Sequence, residues 1–326
     1  MNEEPVHLWH HCHHCNQGPI KGRRYHCEAC PDGPDNDLCE PCYERYQKGE
    51  IPHPVENSPA LGLGIEEHRF ISIEGKPAGQ YDDWLRVGHP EAADPSIAGS
   101  FVVRPLFSCG LDSVMGSYAF VVTVNVEGGS GPLLLTALHV MDEIIKKKGI
   151  DTTDANPGYT GKELPAIITE VNIYDVFAPN WMTAPLGTAG PMLVLPDART
   201  GDEEPYSHRD IAAFRVSNSQ KLNPAPLAAR VPQKGEPVWG VVKLAEKPGQ
   251  RLLKAVVVDI TPRSLVFKFE QPHDAGQARY PSGSPLLNRQ GEVVGIRIGG
   301  GIFQDQKFGH ANHSDNIRRH LSGVIQ

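Results

Sequence analysis

From Ser100 onward the chain carries short apolar runs that repeatedly give way to glycine, proline and charged turns. This is the pattern of packed strands rather than of helices. Tyr118-Ala-Phe-Val-Val-Thr-Val-Asn-Val and Pro132-Leu-Leu-Leu-Thr-Ala-Leu-His-Val flank a Glu-Gly-Gly-Ser-Gly turn, which predicts a β-hairpin. Further strands are predicted over 100–107, 208–216, 236–242, 252–260, 264–270 and 291–298, with a short helical stretch from Met141 to Lys148. Many short strands and many turns predict a mainly β domain, a barrel or a sandwich. Residues 76–99 show no periodicity and read as a linker, with Tyr81 and Trp84 as its packing side chains.

Composition narrows the class. The 326 residues suffice for two or three domains, and 33 glycines with 29 prolines leave room for few long helices. No window holds about 18 uninterrupted apolar residues, so no membrane span is predicted. The N-terminus, Met1-Asn2-Glu3-Glu4-Pro5, lacks the apolar core of a secretory signal, and a cytoplasmic location is expected. The net charge of −8 is uneven: through Gly75 there are 13 acidic against 6 basic residues, and beyond it 26 against 25. An acidic segment repels a phosphate backbone, so no nucleic-acid partner is expected.

Six of the seven cysteines lie between Cys12 and Cys42, as three C-x2-C pairs: Cys12/Cys15, Cys27/Cys30 and Cys39/Cys42. In a chain without a secretory signal such pairs read as metal ligands, each chelating zinc through two thiolates at about 2.3 Å. Six sulfurs do not complete two tetrahedral sites, so two further ligands are needed. His53 and His68 lie downstream, and His10, His11, His13 and His14 compete for the role. So short a segment buries little apolar surface, and zinc binding on the order of 10–16 kcal/mol per site offsets that deficit.

Gly18-Pro-Ile-Lys-Gly-Arg-Arg-Tyr-His-Cys27, followed by Asp37-Leu-Cys39 and preceded by His7, resembles the ZZ-type zinc finger. The resemblance implies a small cross-brace domain over residues 1–75 with two structural zinc ions. One would be held by Cys12, Cys15, Cys39 and Cys42, the other by Cys27, Cys30, His53 and His68. It also implies a protein or peptide ligand, with Asp32, Asp35 and Asp37 as carboxylates for a peptide ammonium group. His13 stands where the family has an acidic residue after its first cysteine.

In the strand-rich part three polar residues stand on turn chemistry in the order His139, Asp210, Ser282. A serine hydroxyl is a weak nucleophile at neutral pH. It needs a histidine to take its proton and a carboxylate to orient that histidine. Thr136-Ala-Leu-His139, Asp210-Ile-Ala212 and Ser282-Gly-Ser-Pro-Leu-Leu-Asn288, with Gly291-Glu-Val-Val-Gly-Ile and Phe308-Gly-His-Ala-Asn behind them, resemble the trypsin-like serine peptidases. The serine box is similar to that of the bacterial high-temperature-requirement branch.

This resemblance implies two antiparallel β-barrels over residues 100–326, with His139 as general base, Asp210 as its orienter and Ser282 as nucleophile. The backbone N–H groups of Tyr280 and Ser282 would form the oxyanion hole. The family's glycine two residues before the serine is Tyr280 here, and Pro281 removes the aspartate that zymogen-activated members use. The interval from His139 to Asp210 is long, and residues 151–204 read as an inserted loop or flap. The substrate pocket is expected near Gly276 and along Ile298, Gly299 and Gly300, favouring a small or apolar side chain. The expected function is a serine endopeptidase acting on protein substrates, its finger recruiting a substrate or partner. The alternative is a silent peptidase fold that serves as a zinc-dependent binding or scaffold module.

Overall fold

A computed structural model describes residues 4–27, 36–53, 68–97, 101–126, 129–141, 144–145, 148, 163–175, 184–195, 198, 207–218, 221–244, 251–270, 278–279 and 281–322. By internal contacts the chain forms two compact units, 1–87 with 300–308, and 88–299 with 309–326.

The first unit holds two small sheets. Strands β1 (Pro5–His7), β2 (Ile20–Lys21), β3 (Arg23–Cys27), β4 (Asp37–Cys39), β5 (Phe70–Glu74) and β6 (Lys76–Pro77) pair as β2-β1-β6 and β4-β3-β5. Helix α1 (Glu40–Gln47) starts straight from β4, with Pro41 in its first turn. Proline has no N–H to satisfy there and its fixed φ suits a helix start. The apolar core is small, with Ile20, Leu38, Tyr46 and Ile51 buried among the cysteines. Helix α2 (Ala78–Leu85) falls inside the stretch expected as a linker. Its Tyr81 and Trp84 are buried, Tyr81 donating from its hydroxyl to the Val6 carbonyl at 3.2 Å.

In the second unit, β7 (Val102–Cys109), β8 (Asp112–Met115), β9 (Ala119–Val126), β10 (Gly129–Thr136), β11 (Glu170–Tyr174), β12 (Gly187–Met192), β13 (Ala212–Asn218) and β14 (Ala225–Pro226) form one sheet. A β9–β7 pairing closes it into a six-stranded barrel. Strands β15 (Pro237–Leu244), β16 (Arg251–Ile260), β17 (Leu265–Phe269), β18 (Ala278–Arg279), β19 (Pro285–Leu287), β20 (Val293–Phe303) and β21 (Gln306–His313) form the second sheet, closed by β15–β16, with residues 300–303 of β20 and 306–308 of β21 belonging to the first unit. After α3 (Leu164–Ile167), helix α4 (Ser314–Ser322) ends the described chain. Closure removes the open edges of each sheet.

Period-two burial is plain in β7, where Val103, Pro105, Phe107 and Cys109 turn inward. Cys109 is a buried small apolar residue of this core. All five residues of β17 are buried. Phe107, Phe120 and Phe214 fill the first barrel and Phe267 with Phe269 the second, each worth roughly 1.5–3 kcal/mol in apolar burial.

The flap expected over 151–204 is corrected by the structure, because β11 and β12 from that stretch are barrel staves. Val171, Ile173, Ala189 and Met192 supply their buried positions. The pairing of β12 with β13 shifts register twice, which breaks the alternation that would have marked the strand. The far part of the expected linker is also anchored. Trp239, fully buried, donates its Nε1–H to Asp94 at 2.8 Å.

Candidate active site and zinc-ligand clusters

Antiparallel pairing of β10 with β13 sets Thr136 opposite Ala212. The chain continues past Thr136 into a short 3-10 turn, Leu138–Met141, and reaches Ala212 from another, Ser207–Arg209. His139 and Asp210 therefore come off neighbouring strand ends. Asp210 is fully buried and His139 about a quarter exposed. One carboxylate oxygen accepts the backbone N–H of His139 at 3.0 Å, and the other lies 2.5 Å from Nδ1. With Nδ1 engaged by a carboxylate it carries the proton, which leaves Nε2 as the acceptor nitrogen.

Ser282 stands on the turn between β18 and β19. Gly283 has φ +80°, which suits glycine, and an added Cβ would collide with the Tyr118 carbonyl and the Thr136 hydroxyl. Those two are already bonded, Thr136 Oγ1 donating to Tyr118 O at 2.7 Å, and Tyr118 N donates to Ser282 O at 3.3 Å. The turn is closed by Ser284, whose N–H and hydroxyl both donate to the Pro281 carbonyl. The Ser282 hydroxyl itself donates to the Ile298 carbonyl at 3.0 Å. Tyr280, the expected second oxyanion donor, and Gly276 lie outside the described residues.

One charged neighbour was not anticipated from the sequence. Arg297 on β20 places Nη1 3.4 Å from Ser282 Oγ. Its backbone is tied to the same turn, Gly283 N donating to Arg297 O at 2.9 Å and Arg297 N to Ser284 O at 2.8 Å. The signal was a lone cation inside the apolar run Val293-Val-Gly-Ile-Arg-Ile298.

In the first unit the ligand atoms of Cys12, Cys15, Cys39 and Cys42 all lie within 4.8 Å of one another, as do those of Cys27, His53 and His68. Cys30 falls outside the described residues. In a tetrahedral thiolate site with bonds of about 2.3 Å, ligand atoms are about 3.8 Å apart. Cys15 Sγ lies 3.9 Å from Cys39 Sγ, and Cys27 Sγ 3.7 Å from His68 Nδ1, so both groups fit a zinc ion. Burial, with His68 beside it, pushes His53 down to about 4, which favours the neutral imidazole a metal needs.

His10 and His13 turn to other work. Asp37 is fully buried and accepts from Arg24 Nη1 at 2.9 Å, His10 Nδ1 at 3.0 Å and His26 Nδ1 at 3.0 Å, while its own N–H donates to His13 Nδ1 at 3.2 Å. Burial alone would raise its pKa, but the bonds from His10 and His26 and the Arg24 charge hold it far below the usual carboxylate range. The expectation that Asp37 offers an open carboxylate to a peptide is thereby corrected. Both its oxygens are taken inside the finger. Asp32 and Asp35 lie outside the described residues.

A sequence model of the trypsin-like peptidase domain matches residues 118–296, and one of the ZZ-type zinc finger matches residues 7–51. Among curated proteins, the auxin transport protein BIG of Oryza sativa subsp. japonica is 40% identical over 60 residues, which is 18% of this chain and 1% of that protein's length. Among solved structures, the active form of the Rv3671c protease from M. tuberculosis is 16% identical, over 74% of this chain and 93% of that one, with a TM-score of 0.39. The serine endoprotease from Yersinia pestis is 18% identical, over 75% of this chain and 66% of that one, with a TM-score of 0.39. Among the described residues no helix is long and apolar enough to cross a membrane.

Proposed function

Since the chain belongs to the trypsin-like peptidase family through residues 118–296, we propose that it is a serine endopeptidase whose nucleophile is Ser282. The observation that carries this reading is the double hydrogen bond between His139 and Asp210. It fixes an imidazole whose basic nitrogen is Nε2, the one that would serve a serine on a glycine-backed turn. In the reaction the Ser282 hydroxyl leaves the Ile298 carbonyl for His139 Nε2. Its oxygen attacks the scissile carbonyl carbon as the proton passes to His139. The oxyanion is met by the Ser282 N–H and, as the second donor, the Tyr280 N–H. Collapse of the intermediate breaks the C–N bond, and His139 returns the proton to the departing amine. Water then repeats the sequence on the acyl-enzyme, releasing the acid and restoring Ser282. Asp210 holds the imidazole orientation and stabilises its cation throughout.

The finger would carry two structural zinc ions. Cys12, Cys15, Cys39 and Cys42 hold one, and Cys27, Cys30, His53 and His68 the other. Zinc contributes folding free energy there and takes no part in hydrolysis, because sites with four protein ligands leave no open position. As in other ZZ modules the finger would bind a protein partner or recruit the substrate.

A second reading rests on the Ser282 hydroxyl being engaged by Ile298 and on Tyr280 in place of glycine. On that reading the peptidase fold is silent and acts as a binding or scaffold module. Labelling with a fluorophosphonate separates the two. The endopeptidase reading expects labelling of the intact protein that disappears in Ser282→Ala and His139→Ala. Folded protein that takes no label would leave the scaffold reading standing.

A further inference from the structure

Building on the peptidase reading, we propose that Arg297 selects the substrate, so that cleavage follows an aspartate or glutamate whose carboxylate is taken by its guanidinium. For attack, the scissile carbonyl carbon must approach Ser282 Oγ to about 3–3.5 Å. The side chain of the residue that owns this carbonyl begins one atom away. A group 3.4 Å from Oγ lies within reach of that side chain, and here the group is a guanidinium.

Two features support the role. The backbone of Arg297 is held in place, because its N–H and carbonyl are both bonded to the nucleophile turn, at 2.8 and 2.9 Å. The guanidinium is ionised at every working pH. A lysine or arginine before the scissile bond would meet like charge, and an apolar side chain would desolvate a cation. An aspartate or glutamate carboxylate brings the opposite charge and a charge-assisted hydrogen bond.

The same contact couples recognition to chemistry. Arg297 donates to Ser282 Oγ while that hydroxyl donates to the Ile298 carbonyl. A carboxylate is a stronger acceptor than a hydroxyl, so an acidic side chain draws the Arg297 N–H away from Oγ. The oxygen lone pair that Arg297 had occupied is then released for attack. Substrates with neutral side chains at that place leave the contact intact.

The test uses the full-length protein and fluorogenic peptides that differ only in the residue before the scissile bond: Glu, Asp, Gln, Leu or Lys. The expected result is a kcat/KM for Glu about 100-fold above that for its neutral isostere Gln, within the range charge and hydrogen-bond recognition provides. Arg297→Gln should bring the Glu/Gln ratio close to one, Arg297→Lys should keep it well above one, and Arg297→Glu should turn the preference to Lys. Labelling of each variant by a fluorophosphonate reports that the site is assembled. Equal cleavage after Glu and Gln by the wild type, or an unchanged ratio in a labelled Arg297→Gln protein, would overturn the assignment.

Failure of the peptidase reading has a different signature, namely no labelling and no cleavage of any peptide. In that case the same peptides are measured as ligands of Ser282→Ala by fluorescence polarisation. Tighter binding of the Glu peptide, lost on adding Arg297→Gln, upholds acidic recognition by Arg297 without catalysis. Equal binding of Glu and Gln peptides rejects it.

Discussion

His139 and Asp210 are joined through both carboxylate oxygens, one on the backbone N–H at 3.0 Å and the other on Nδ1 at 2.5 Å. Two bonds from one residue to two oxygens fix both the position of the histidine and the proton on Nδ1. Asp210→Asn keeps the size of the group but offers an NH2 donor where Nδ1–H needs an acceptor. The favoured tautomer then reverses, and Nε2 no longer accepts the serine proton. We expect kcat/KM to fall by on the order of 10⁴ with the fold intact. Steady-state kinetics beside circular dichroism would check this, and a loss of less than about tenfold would remove Asp210 from the mechanism.

Gly283 is the residue on which the nucleophile turn depends. Gly283→Ala combines a strained φ of +80° with a Cβ driven into the Tyr118 carbonyl. We expect a loss of about 2–4 kcal/mol of stability together with loss of fluorophosphonate labelling. Gly235 is the control, with φ +87° and nothing within 4 Å of an added Cβ. Gly235→Ala should cost only about 1–2 kcal/mol and leave labelling in place. Thermal unfolding of the two variants side by side tests the distinction, and equal losses would mean that strain alone governs both.

Two zinc ions per chain are expected by elemental analysis of the purified protein. His68→Ala should remove one, and Cys39→Ser the other. A strong chelator should unfold the finger, because its apolar core of Ile20, Leu38, Tyr46 and Ile51 is small and structural zinc supplies folding free energy on the order of 10 kcal/mol. Unchanged circular dichroism in a metal-free protein would contradict this.

Asp37 bears on the finger's stability without contributing a metal ligand. Removing its carboxylate in Asp37→Ala leaves the Arg24 guanidinium, itself about 4% exposed, without its buried counter-charge. The expected cost is about 3–5 kcal/mol. Asp37→Asn keeps an acceptor for Arg24 and should cost less. Chemical denaturation of zinc-loaded protein measures both. If Asp37→Ala unfolds like the wild type, the buried ion pair does not hold the finger.

The mainly β character of residues from Ser100 onward was legible in the sequence because strand periodicity is local, each apolar run declaring a buried face by itself. The cysteine pairs were legible for a similar reason, since two thiolates on one tight turn can serve little besides a metal in such a segment. The sequence likewise named His139, Asp210 and Ser282 from the residues around each. What it could not supply was which side chains meet. The approach of His139 to Asp210 depends on β10 and β13 pairing with Thr136 opposite Ala212. The approach of Arg297 to Ser282 depends on β20 running beside the nucleophile turn. Asp37 looked like one acidic residue of an exposed loop until Arg24, His10 and His26 closed around it. Strand β12 was hidden because register shifts with β13 broke the period that announces a strand. Periodicity tells a residue which way it faces, and only the register between distant strands decides what it faces.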